Sequence, residues 1–154
     1  MKGLLKNPAV NAVCLSLFSA FYGLIFIITS GHIEFKSLLY YSRTARIYPF
    51  WTAWSSFLAS GHHVYIAFTL IAITMLVVFM LLMRRRPYDE YHTANLIQCL
   101  VVAAILTLIA IAVFYLMILS DPNGIVEKFT LFIVINWTTV VLSDLVFVFV
   151  CRWR

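Results

Sequence analysis

Four long apolar stretches set the limits on what this chain can fold into. They run from about Ala9 to Ser30, His62 to Met83, Asn95 to Leu119 and Thr130 to Cys151. Each supplies the roughly 20 residues that a helix needs to cross the hydrocarbon of a bilayer. Backbone N–H and C=O groups in hydrocarbon must be paired within their own segment, so spans of this kind are helices. A membrane β-barrel needs alternating segments of about ten residues, and these runs do not alternate. Eleven Lys/Arg and six Asp/Glu among 154 residues are too few to clothe a soluble globule, and 64% apolar residues exclude disorder. The expected fold is all-α: a polytopic integral membrane protein forming a single four-helix domain over 1–154. An aromatic-rich interfacial helical segment, 31–61, joins its first and second helices.

The junctions carry their own chemistry. Arg84, Arg85 and Arg86, followed by Pro87, end the second span with charges that resist hydrocarbon and a residue that cannot continue a helix. Ser60-Gly61 closes the segment before the second span, with glycine free to turn left-handed. Asp121-Pro122-Asn123-Gly124 reads as a tight turn, with Asp121 as helix N-cap and Pro122 at the first helical position. Lys2, Lys6, Arg84, Arg85, Arg86, Arg152 and Arg154 fall on one side of a four-span chain, against Lys36, Arg43, Arg46 and Lys128 on the other. The excess of positive residues on the inner side places both termini in the cytoplasm. Lys2 and Lys6 before an apolar run resemble a secretory signal, but the run is longer than a signal core, so the first span is expected to be retained.

Within 31–61 the residues read as two short helices, Glu34 to Arg46 and Pro49 to Ser60. Tyr40, Tyr41, Trp51 and Trp54 are expected to anchor this segment at headgroup level, where an aromatic ring is apolar and its O–H or N–H stays wet. The alternative is a docking surface or lid over the helices. His32, His62 and His63 fall at the same face, with Glu34 nearby. Imidazoles at one depth can hold a transition metal or a haem iron. As boundary residues they need no ligand at all, and no cofactor is the default expectation. Cys14, Cys99 and Cys151 lie in or beside spans and read as packing residues, not a disulfide framework.

Asp144 is the acid well inside a span, eight residues or about 12 Å before Arg152. Ser16 is ten residues past Lys6, Thr74 ten before Arg84, and Gln98 nine past Asp89. The matched depths predict an intramembrane polar layer of Asp144, Gln98, Ser16 and Thr74, one from each helix. The carboxyl can serve as hydrogen-bonded glue between helices, as an ion- or proton-linked group, or as a contact to a partner subunit. Asn136, Thr139 and Ser143 form a polar stripe on the fourth span. Small faces on the first span (Ala12, Ser16, Ser19, Ala20, Gly23) and the third (Ala103, Thr107, Ala110) predict close helix packing or a homo-oligomer contact. The basic rim of Arg84, Arg85 and Arg86 points to anionic headgroups and not to nucleic acid.

The layout of a long first outer loop, a short basic inner turn and a shorter second outer loop is similar to the claudin and peripheral-myelin tetraspan plan. The likeness is one of topology, because 31–61 lacks that family's paired outer-loop cysteines. The nine residues from Tyr91 to Cys99 resemble a stretch of the glutathione-linked membrane enzymes, the microsomal prostaglandin and leukotriene synthases. In this chain they open the third helix instead of the second, and Gln98 stands where that family has an acid.

No catalytic constellation or phosphate-cradling loop is present. The first functional expectation is therefore a non-catalytic subunit or accessory of a membrane assembly, partnered by the lipid bilayer and by another membrane protein or a second copy. The alternatives are an oligomeric small transporter or channel built around Asp144, and a membrane enzyme or haem or metal redox subunit using the histidines.

Overall fold

The computed structural model describes residues 6–31, 49–84 and 87–150, and the backbone alone of 151 and 152. It contains five helices: α1 (Pro8–Gly31), α2 (Pro49–Ala59), α3 (His63–Met83), α4 (Glu90–Ser120) and α5 (Ile125–Arg152). Among the described residues there is no strand. Four of the helices, α1, α3, α4 and α5, are long and apolar enough to cross a membrane, the architecture of a multi-pass membrane protein.

Local chemistry sets the helix ends. Pro8 and Pro49 occupy first helical positions, where the missing N–H has no partner to lose. The Asn7 side chain accepts from Ala9 N–H at 3.0 Å, and Asp89 accepts from His92 N–H at 2.8 Å to cap α4. Gly61 and Gly124 turn with φ of 83° and 68°, angles at which a Cβ is strained. Asp121 differs from its expected role as an N-cap. It ends α4, and its Oδ1 accepts from Asn123 N–H at 3.0 Å and Nδ2 at 2.9 Å, so it holds the turn and α5 begins only at Ile125.

Three of the spans share a core. α1 packs against both α3 and α5, and α3 also packs on α5. The interior is built from Leu15 and Phe26 of α1, Leu70 and Val77 of α3, and Ile133, Trp137 and Val141 of α5. Gly23 lets α1 approach the indole of Trp137 closely: a Cβ at that position would lie 3.0 Å from its Cη2. α4 stands outside this trio. It packs extensively on α5 alone and buries only Leu96 and Ala103. Phe114 stacked on Phe132, with ring centroids 4.8 Å apart, ties the two helices together. At about 1.5 Å per residue α4 is about 46 Å long, beyond the roughly 30 Å of hydrocarbon.

The start of α1 and the end of α5 lie at one end of the bundle, called here the terminal end. α2 lies at the other end. Its Leu58 is buried, and Trp54 Nε1 donates to Thr130 Oγ1 of α5 at 3.2 Å. α2 is thus seated on the bundle as well as carrying its aromatic rings.

Candidate functional site

Polar groups run through the three-helix core along its whole length. On the inward face of α5 they are Thr130, Asn136, Trp137 and Asp144, all buried. α1 contributes Asn11, Ser19 and Ser30, and α3 contributes Thr74. From Asn11 to Ser30 is nineteen residues. That is about 28 Å of helix, close to the hydrocarbon thickness of a bilayer.

At the terminal end of this seam sits Asp144, with 4% of its surface exposed. The Asn11 amide of α1 approaches its carboxyl, and the Cys99 thiol of α4 lies within reach of its charge. The Asn11 nitrogen does not close to a full hydrogen bond. Further along, Ser19 Oγ and Thr74 Oγ1 are 3.1 Å apart. Thr74 gives its one hydroxyl proton to Leu70 O at 2.8 Å, so Ser19 is the donor of this pair. In the middle, both polar atoms of the Asn136 side chain and Nε1 of Trp137 are buried without hydrogen-bond partners among the described residues, as is Ser30 Oγ beyond them. Polar groups without partners in a low-dielectric interior are costly, so their concentration in one seam makes it a candidate site.

The expected polar layer divides in two. Thr74 and Asp144 face the core, but Ser16 and Gln98 are exposed. Ser16 donates to Ala12 O of its own helix at 2.8 Å. Gln98 stays exposed, because α4 has no extensive neighbour besides α5 to cover it. The stripe on α5 divides as well. Asn136 points inward, but Thr139 and Ser143 line an outward cleft of about 370 Å³ between α4 and α5, together with Gln98, Cys99, Val102 and Leu106. Sequence reasoning missed Asn11, Ser19 and Ser30 as core-facing polar groups and Trp137 as the residue that fills the space at Gly23.

The end bearing α2 is organised around Lys128, which is buried. Its Nζ donates to Asn123 O at 2.8 Å and to the backbone oxygen of Asp121, and lies 3.3 Å from Asp121 Oδ2. This ammonium holds the carbonyls of the turn that follows α4 and so pins the α4–α5 connection. Burial pushes the Asp121 carboxyl up, but hydrogen bonds from Asn123 and the Lys128 charge outweigh it and hold the acid below its ordinary value. Trp51 lies beside Lys128, whose Nζ is 5.9 Å from the ring centre.

His62 and His63 are adjacent, yet their rings engage different partners. His62 meets Ser60 Oγ and stacks on Phe57, and His63 Nδ1 contacts Leu58 O at 3.0 Å. Among the described residues no three His, Cys, Asp or Glu side chains come together as a metal site. The expected sites at His32, Glu34, Tyr40, Tyr41, Arg85 and Arg86 lie outside the described residues. Arg84 is half-buried and places its guanidinium 5.2 Å from the centre of the Tyr88 ring.

Set against known proteins, the chain matches no family model, no curated protein and no solved structure, so the likenesses to the tetraspan plan and the synthase stretch rest on layout and nine residues alone.

Proposed function

We propose that this chain is a non-catalytic subunit or accessory of a membrane assembly and that α4 is its docking element. The packing of α4 carries this reading. A span of 31 residues rests on α5 alone and presents Val101, Ile105, Leu108 and Leu116 outward. Beside it, Gln98, Thr139 and Ser143 line a cleft. Acyl chains cannot hydrogen-bond these groups, whereas a helix of another membrane protein can. The excess of Lys and Arg at the terminal end favours an orientation with both termini in the cytoplasm.

A photo-crosslinking residue at Leu108 tests the proposal against the same residue at Leu17, an outward position on α1. The expected result is a discrete protein adduct from position 108 and lipid adducts from position 17. Lipid adducts alone at both positions would overturn the proposal, and an adduct of twice the chain mass would identify the partner as a second copy.

A second reading is favoured by Asp144 and its place in the polar seam: a small transporter moving protons or cations. Asp144→Asn keeps the shape and removes the charge. On this reading the variant assembles normally in liposomes and loses pH-driven flux, and unchanged flux would exclude an ion-linked role. A haem or metal at His62 and His63 has no comparable observation in its favour.

A further inference from the structure

We propose that the terminal end holds one anionic phospholipid, its phosphate between Lys6 and Arg84, in a cleft formed by the start of α1 and the end of α3. The cleft has a volume of about 530 Å³, and Leu82 and Pro8 line its apolar part. Tyr88 brings the two cations together. Its backbone N–H donates to Lys6 O at 2.8 Å, and its ring, itself buried, lies under the Arg84 guanidinium. One residue thus holds the backbone of Lys6 and the side chain of Arg84 at the same cleft.

Neither cation is in an ion pair among the described residues. Asp89 is a carboxylate whose charge reaches Arg84 without an ion pair between them, and its Oδ1 is engaged in capping α4, where it meets His92 N–H and Nδ1. At the α1 N-terminus the N–H groups of Ala9 and Val10 are already bonded to Asn7 Oδ1 and Asn7 O. The binding charge is therefore that of the two side chains. A guanidinium over an aromatic ring keeps N–H donors for a phosphate, and an ammonium supplies a second point of contact. Leu82 is exposed on the lipid side, so an acyl chain can continue from the cleft down α3. A phosphate-bearing lipid satisfies both the charged and the apolar lining, and a free phosphate satisfies only the first.

The test uses the full chain in mild detergent, titrated with phosphatidylglycerol, with phosphatidylcholine or with inorganic phosphate, and read by native mass spectrometry. One phosphatidylglycerol per chain is expected to survive gas-phase activation that strips phosphatidylcholine. The Lys6→Gln/Arg84→Gln variant is expected to bind it at least about tenfold more weakly, from the roughly 1 kcal/mol that each basic residue contributes near an anionic surface. Arg152→Gln/Arg154→Gln removes the same number of charges and is expected to change binding less than twofold. Equal retention of the two lipids, equal effects of the two variants, or displacement of the lipid by millimolar inorganic phosphate would each overturn the proposal. If the first variant fails to fold, Lys6→Gln alone, a side chain ahead of α1, replaces it with the same comparison.

Discussion

At the scale of single residues, Gly23 is what lets α1 lie close against Trp137 of α5. Alanine at 23 brings its Cβ to 3.0 Å from the indole, a distance that a small shift can relieve. Valine adds two methyl groups against a side chain that is fully buried, and no small shift makes room for them. Gly23→Val is expected to destabilise the protein by about 1–3 kcal/mol, and Trp137→Leu in the same chain to recover part of the loss. Unfolding in mixed detergent micelles measures both. The glycine was legible in the sequence as part of a small face, but the direction of that face was not. The buried side of α1 runs through Ala12, Leu15, Ser19, Gly23, Phe26 and Ser30, rotated from the face containing Ser16 and Ala20. In a helix surrounded by lipid both sides are apolar, so polarity carries little information about which one faces a neighbour. The same blindness placed Ser16 and Gln98 inside the bundle, and it left Asn11 without a role although it is a polar residue within the first span.

At the scale of elements, the sequence located four spans but shortened two of them. α4 begins at Glu90 and not near Asn95, and α5 at Ile125 and not near Thr130. The apolar run measures the part of a helix suited to hydrocarbon, and the polar turns at its ends are helical too. The first turn of α4 depends on Asp89. The N–H of His92 holds this carboxylate below its ordinary value of 3.8, followed by contact with the His92 ring. A lowered carboxylate stabilises fully above its unfolded pKa and loses that contribution as pH falls through the lowered one. Amide protection at His92 is therefore expected to persist down to about pH 4 and to fall in more acid solution. In Asp89→Asn, which can still accept the same hydrogen bond, the protection is expected not to change over that range. Hydrogen exchange followed by NMR in micelles makes the comparison.

At the scale of the whole molecule, three helices form a core and the fourth leans on one of them. That division was not legible in the sequence, where all four spans look alike in length and hydropathy. It depends on which faces interlock, and hence on pairs such as Gly23 with Trp137 and Ser19 with Thr74. α4 can be removed without opening the core, whereas α5, which touches all the other spans, cannot. The chain makes α1 and α3 well before α5. During synthesis, then, the groove at Gly23 waits in the membrane until Trp137 arrives some 110 residues later. A chain stopped after Ser120 is expected to insert its first spans, yet to be cleared quickly by proteolysis when followed by pulse-chase in cells. Co-expression of the missing helix as a separate peptide is expected to lengthen its lifetime. The glycine that allows close packing in the finished protein thus makes the nascent chain dependent on whatever shelters it until its last helix is made.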